Sequence, residues 1–183
     1  MEIASRQQLR LAFLRWAIVT VPFVVLLGFL SSRVAPMGSR SRWYVALAKP
    51  AGTPPDWVFP VAWGLLYVLM GLALAMIIHA RGARLRGPAI MLFAAQLIVN
   101  LLWSPLFFGL HLVGGALVAL GAIFVLALLT TLVFGRVRTA AAWLMVPYLA
   151  WLCYAGALTY GIYGLNPDAA TVAPSSTNTQ IQL

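Results

Sequence analysis

Polar side chains that could bind a ligand lie within one long apolar stretch of the chain. Four residues recur there at intervals of four, three and four, which places them on one face of a helix: Gln96, Asn100, Trp103 and Phe107. No charged residue occurs within residues 88–135, and the two amides can each donate and accept hydrogen bonds. The stripe predicts a face that orients a ligand, with Asn100 holding a carbonyl or carboxylate. The alternative is that the amides bond a neighbouring helix.

Aromatic side chains recur at helical spacing on two other apolar runs. Trp63 and Tyr67 form one stripe, and Tyr148, Trp151 and Ala155 form a second, in which the small Ala155 leaves space beside two large rings. Rings from two helices and amides from a third predict a pocket for a flat, largely apolar molecule. Three other tryptophans lie nearer the ends of the runs and are typical of interfacial belts: Trp16, Trp57 and Trp143.

Conventional catalytic groups are missing from these runs. We find no acidic pair, no nucleophile with a base at helical spacing and no glycine-rich phosphate loop. The single cysteine, Cys153, lies in an apolar run, and His79 and His111 lie where interfacial histidines are expected. We therefore predict no metal site and no obligatory cofactor, so any chemistry has to come from the ligand.

The elements that must position these residues are membrane-spanning helices. Of 183 residues, 63% are hydrophobic and 8% charged, far too apolar a composition for a soluble domain. The net charge of +9 comes from short arginine clusters between apolar runs, which indicates membrane topology and not nucleic-acid binding. Five stretches are long enough to cross a bilayer: 11–30, 58–80, 88–110, 112–134 and 140–165. We predict an all-α integral membrane protein, with residues 1–166 as one domain and 167–183 as a disordered polar tail.

The connections between the five spans are unequal. Three are short, so successive helices are antiparallel neighbours, but the first connection covers Ser31–Trp57. This loop carries Trp43 and Tyr44 beside basic residues, which predicts a short amphipathic piece at the membrane interface, followed by a rigid extended segment that leads into the second span. Asp56 precedes the second span and is expected to cap that helix or to complement its positive end.

Long sequence motifs resemble the TspO/MBR family, the tryptophan-rich sensory proteins and translocator proteins that include the peripheral benzodiazepine receptor. The resemblance covers about residues 10–166. The motifs are Trp43-Tyr44, Lys49-Pro50, Pro54-Pro55-Asp56-Trp57-Val58-Phe59-Pro60-Val61-Ala62-Trp63, the segment from Gln96 to Phe108, and Val146-Pro147-Tyr148-Leu149-Ala150-Trp151.

The resemblance implies a five-helix bundle, usually a homodimer, that binds protoporphyrin IX and haem between its helices. It also implies that the long first loop caps this internal cavity. Isoquinoline carboxamide and benzodiazepine-type drugs are further ligands of the family. Its ligand contacts correspond to Trp63, Asn100, Trp151 and Ala155 in the spans and to Tyr44 and Pro55 in the loop. The implied function is a membrane receptor that regulates porphyrin metabolism, traffic or stress responses. Two alternatives are light-dependent porphyrin breakdown, with Trp63 and Trp151 as electron donors, and porphyrin transport.

Two departures from the family pattern fall on the fifth span. The sterol-recognition pattern needs a basic residue after its tyrosine, and no basic residue follows Tyr148 in this chain, which argues against sterol binding by that motif. Family members commonly carry Leu-Asn where this chain has Leu158-Thr159, and only the later Asn166 remains.

The distribution of basic residues predicts the orientation in a bacterial cell membrane. Eight of the twelve lie on the N-terminal side and four in the long loop, which favours a cytoplasmic N-terminus. A reporter enzyme that works only outside the cytoplasm should therefore be active when fused after Leu165. Activity of a cytoplasm-dependent reporter at the same position would contradict the orientation but leave the five spans intact.

Overall fold

The computed structural model describes the backbone of residues 6–171 and the side chains of residues 11–171. The described residues form helices and connecting turns, with no strand among them. The α-helices are α1 (Arg6–Ser32), α2 (Arg42–Ala46), α3 (Val58–His79), α4 (Arg86–Ser104), α5 (Val113–Val137) and α6 (Thr139–Leu165). A π-helical turn, Pro105–Gly109, continues α4, and short 3-10 turns occupy Gly38–Arg40 and Ala169–Thr171.

Five helical segments are long and apolar enough to cross a membrane. They are Leu11–Ser32, Val58–His79, Arg86–Gly109, Val113–Val137 and Thr139–Leu165. Each end lies within three residues of the predicted one, because runs of apolar residues between arginine-bearing turns leave little freedom in where a span begins. The predicted all-α, five-span fold is confirmed.

The spanning helices pack in a ring. Helix α1 packs on α3, α3 on α6, α6 on α5 and α5 on α4, while α4 contacts both α3 and α1 and closes the ring. Helices α1 and α3 approach each other closely at Gly71, where a Cβ would lie 2.7 Å from the Cα of Val21. At the same place the Thr20 hydroxyl donates to the Gly71 carbonyl over 2.8 Å. A small residue at the contact lets the two backbones meet.

The long first loop covers one end of the ring. Its helix α2 buries Trp43 and Tyr44, which pack with Phe107 and Phe108 from the π-helical turn. The Ser41 hydroxyl caps α2 by accepting a hydrogen bond from the Tyr44 backbone N–H. The aromatic residues of the loop therefore face the bundle. That the loop caps a ligand cavity stays a prediction.

The structure corrects the role of Asp56. Its carboxylate accepts a hydrogen bond from the backbone N–H of Ser39 and lies against Gly38, so it holds the two ends of the loop together. Helix α3 instead starts without a side-chain cap, and the Val58 N–H donates to the Pro55 carbonyl over 3.0 Å. The prolines before the helix already provide a turn that meets its first free N–H group.

The first residues of the predicted polar tail, 167–171, form turns that lie against the first loop. Ala169 is buried, and its carbonyl accepts a 2.7 Å hydrogen bond from the Trp43 indole. Just before it, the Asn166 amide makes two 2.9 Å bonds to the backbone of Ala48. A composition-based prediction misses this because the partners lie in the first loop, more than 100 residues away. Residues 172–183 of the predicted tail lie outside the described residues.

Enlarging Gly71 should separate α1 from α3. Gly71→Ala places a methyl group against the backbone of α1, so we expect the free energy of unfolding to fall by about 1–3 kcal/mol. Gly121→Ala on α5 is the control, because a Cβ there meets nothing within 4 Å and should be neutral or slightly stabilising. Thermal unfolding in detergent micelles measures both, and equal melting temperatures would contradict the close packing of α1 on α3.

Candidate ligand-binding site

A chain of four side chains joins three helices inside the bundle. The Tyr67 hydroxyl on α3 donates to Asn100 Oδ1 on α4 over 3.0 Å, and Asn100 Nδ2 donates to the Tyr148 hydroxyl on α6 over 2.9 Å. Tyr148 then donates to Gln96 Oε1 over 3.0 Å, which returns the chain to α4. We call these four residues the interior hydrogen-bond chain.

The local sequence explains how α4 contributes two members to this chain. Gln96 and Asn100 are one turn apart and face the same way, and the neighbouring Phe93 and Leu97 are buried among apolar side chains. Buried polar groups must find partners within the protein, so the two amides bond the tyrosines of α3 and α6. The amides therefore do bond neighbouring helices, as the alternative to ligand binding predicted.

Three buried hydrogen-bond donors have no acceptor among the described residues. They are Gln96 Nε2, Trp103 Nε1 and Trp151 Nε1. A buried donor without a partner costs about 1–3 kcal/mol, so each of these N–H groups favours a molecule that brings an acceptor to it. All three belong to residues that the sequence predicted to contact a ligand.

One group of aromatic rings lies beside the interior chain. The Trp63 ring is 5.3 Å from Tyr67, 6.2 Å from Tyr148 and 6.4 Å from Trp151, measured between centroids. Phe59 and Tyr154 extend the group by contacting Trp151 at 6.1 Å and 5.5 Å. We call these six residues the inner ring group. It unites the aromatic stripes predicted on the second and fifth spans.

An open groove lies next to the inner ring group, between α3 and α6. Its volume is about 500 Å³, and it is lined by Trp151, Tyr154, Pro147 and apolar side chains of α3, including Leu65 and Leu66. A second groove of about 300 Å³ lies between α5 and α6, where Cys153 lines it. Only the first groove borders residues of the predicted site.

A second group of rings lies under the loop. Trp103 stacks on Phe107 at 5.1 Å, and Phe107 contacts Trp43 at 5.4 Å and Tyr44 at 6.2 Å. Trp103 also packs against the central core, so it connects that core to the rings under the loop. The predicted stripe on α4 is thus divided, with its amides in the interior chain and its rings beneath the loop.

Sequence reasoning missed the part played by His111. Its ring stacks on Trp43 at 4.2 Å with an interplanar angle of 12°, and its backbone has a positive φ of 57°. Histidine is among the few residues enriched in that conformation, and the sharp turn between α4 and α5 requires it. The signal available in the sequence was the histidine between Leu110 and Leu112, three residues after the aromatic pair Phe107-Phe108.

The remaining predicted contacts have simpler surroundings. Ala155 is half-buried one turn beyond Trp151, and Pro55 is exposed in the loop and outside both ring groups. Trp57 and Trp143 are 66% and 69% exposed, in agreement with the predicted belt. Among the described residues there is no group of three or more histidine, cysteine or acidic side chains that could hold a metal ion.

The loop end of the site carries charge. Burial raises the pKa of the Tyr44 hydroxyl, and the nearby carboxylate of Asp56 raises it further, so this phenol stays neutral. Lys49 Nζ lies 4.7 Å from the centre of the Tyr44 ring, where the ring face attracts a cation. A ligand near Tyr44 would therefore meet a neutral hydroxyl beside a positive group.

These features define a multi-pass integral membrane protein with a buried site of aromatic rings and amides. The family model for the TspO/MBR family matches residues 18–164, and the chain belongs to this family. The "Tryptophan-rich protein TspO" of Chlorobaculum tepidum is 39% identical over 141 residues, which cover 76% of this chain and 89% of that protein. The "Translocator protein" of Bos taurus is 39% identical over 138 residues, which cover 74% of this chain and 81% of that protein. The "Tryptophan-rich sensory protein" of Cereibacter sphaeroides is 40% identical over 124 residues, which cover 68% of this chain and 77% of that protein.

Removing the centre of the interior chain should destabilise the bundle. Asn100→Leu leaves the Tyr67 hydroxyl without an acceptor and removes a donor to Tyr148, so we expect a loss of about 1–2 kcal/mol in the free energy of unfolding. Tyr67→Phe removes one bond and should cost about 0.6 kcal/mol. Thr130→Val is the control, since this buried hydroxyl donates only within its own helix. Equal stability of Asn100→Leu and Thr130→Val would show that the chain does not hold the helices together.

Proposed function

We propose that this protein is a membrane receptor for tetrapyrroles such as protoporphyrin IX and haem, and that it regulates porphyrin metabolism, traffic or stress responses. The observation that carries the proposal is the inner ring group together with the two buried indole N–H groups that have no acceptor, on Trp103 and Trp151. Such rings stack on a flat macrocycle, and the free donors suit its polar substituents.

The names of the relatives support a sensing function. Bacterial relatives are named tryptophan-rich sensory protein and tryptophan-rich protein TspO, and mammalian ones translocator protein.

The same proposal includes a homodimer in the bacterial cell membrane with a cytoplasmic N-terminus. It also includes isoquinoline carboxamide or benzodiazepine-type compounds as ligands, because they too are flat and apolar. The name translocator keeps porphyrin transport as an alternative, which sealed vesicles with porphyrin on one side would test.

A second candidate function is light-dependent breakdown of bound porphyrin. The observation that favours it is the contact of Trp63 with Trp151, at 6.4 Å, beside the groove between α3 and α6. Indole is readily oxidised, so either ring could donate an electron to a photoexcited porphyrin, with dioxygen as the final oxidant. The same residues would then serve both binding and chemistry.

Porphyrin binding should quench tryptophan fluorescence through the inner ring group. We expect titration with protoporphyrin IX to quench the purified protein, and the quenched fraction to shrink most in Trp63→Phe and Trp151→Phe. Trp143→Phe is the matched control, since this tryptophan is 69% exposed and lies outside the group, so its loss should leave the ligand-dependent change nearly intact. Absence of saturable quenching in the unmodified protein would reject the tetrapyrrole receptor.

Absorption spectra of the same complexes under illumination in air separate the two functions. Phenylalanine preserves ring stacking but is much harder to oxidise. If porphyrin breakdown occurs, Trp63→Phe and Trp151→Phe should keep most of their affinity for protoporphyrin IX and lose most of its light-dependent turnover. Spectra that stay unchanged in the light would exclude porphyrin breakdown and remain consistent with a receptor. Undiminished turnover in both variants would exclude the two tryptophans as electron donors.

A further inference from the structure

The interior hydrogen-bond chain has a direction. Each member donates to the next, from Tyr67 to Asn100, from Asn100 to Tyr148 and from Tyr148 to Gln96. The last member, Gln96, accepts with its oxygen and has a free amide nitrogen, although its side chain is completely buried. The chain therefore ends in a pair of unused N–H donors.

The orientation of the Gln96 amide follows from its partner. Tyr148 already accepts a hydrogen bond from Asn100, so its own hydrogen needs an acceptor, which Gln96 Oε1 provides. If the amide were turned over, its nitrogen would donate to an oxygen that is already bonded, and the Tyr148 hydrogen would have no acceptor. Turning over both amides would reverse the chain and leave the Tyr67 hydrogen without an acceptor. The direction that pairs both hydroxyl hydrogens is therefore the one that leaves the donor end of Gln96 free.

The depth of Gln96 limits what can meet it. Gln96 lies one turn, about 6 Å, further from the loop than Asn100, within a stretch without charged residues. A carboxylate at this depth would be an uncompensated charge among apolar side chains, which is costly. A neutral carbonyl needs only a hydrogen bond, and one amide nitrogen can supply it.

We propose that Gln96 is the residue that selects ligands carrying a neutral carbonyl group, such as a ketone, ester or amide, at the deep end of the site. The inference rests on the proposed tetrapyrrole-binding function and names the substituent that the site prefers. Asn100, which the sequence analysis expected to hold the ligand, already has partners for both its oxygen and its nitrogen. It acts as a positioning residue that fixes Tyr148 and, through it, Gln96.

Two porphyrins of almost equal shape test this selectivity. Mesoporphyrin carries two ethyl groups where diacetyldeuteroporphyrin carries two acetyl groups, so the second differs by two neutral carbonyls. Absorption titrations of the full-length protein in nanodiscs should show about fivefold tighter binding of the diacetyl compound, the ratio expected for one neutral hydrogen bond. Gln96→Met should reduce the ratio to about one. Thr130→Val, a buried polar-to-apolar change outside the site, should retain it.

A spectroscopic measurement on the unmodified protein keeps the test valid if Gln96→Met does not fold. Hydrogen bonding lowers the stretching frequency of the acetyl carbonyl, so infrared spectra of the bound diacetyl compound should show a downshifted band relative to an apolar solvent. Equal affinities for the two porphyrins, an unshifted band, or a preference that survives Gln96→Met would overturn the role of Gln96 while leaving the receptor intact. If neither porphyrin binds, the proposed function itself fails.

Discussion

The interior of this protein depends on one constraint: within a bilayer, a polar group has no water to bond and must find its partner inside the bundle. The interior hydrogen-bond chain meets this constraint across α3, α4 and α6 with three bonds of 2.9–3.0 Å. Because its members are spaced one turn apart on α4 and matched in depth by tyrosines on the other helices, the chain also fixes the register of the three helices. The aromatic rings that line the candidate site are carried by the same three helices, so their mutual distances follow from that register.

The two ends of the bundle are built differently. At one end, the helices reverse direction through short connections, with arginines in or beside them: Arg81, Arg84, Arg136 and Arg138. At the other, the loop, the π-helical turn and the end of α6 form a second small core, held by the bonds of Trp43 to Ala169 and of Asn166 to Ala48. Access to the rings from this end is therefore limited by the loop, whereas the groove between α3 and α6 reaches the same rings from the side of the bundle.

Sequence periodicity could predict which residues share a helix face, and for Gln96, Asn100, Trp63, Tyr67, Tyr148 and Trp151 that face was enough to bring them together. It could not predict partners across long separations, such as Trp43 with a carbonyl 126 residues away. Nor could it predict that the stripe on α4 divides, because Trp103 and Phe107 lie nearer the loop than Asn100 and meet aromatic side chains that the loop brings there. Of the four residues, only Phe107 lies in the π-helical turn, which departs from the 3.6-residue period. Asp56 was misassigned for a related reason: its position before α3 fits a cap, but Ser39, brought near by the loop, offers an N–H closer to its carboxylate.

The contacts already present in the site decide where selectivity can arise. Trp63, Tyr148 and Trp151 pack on one another, so a stacked ligand replaces ring–ring contacts with ring–ligand contacts of the same kind. The free energy of that exchange differs little from one flat ligand to another, so the rings bind flat molecules with little selectivity. The free donors differ in this respect, because Gln96, Trp103 and Trp151 each keep a buried N–H unpaired until an acceptor reaches it. On the proposed function, the rings therefore admit a class of flat molecules, and the position of a ligand's acceptors relative to these three N–H groups distinguishes one member of the class from another.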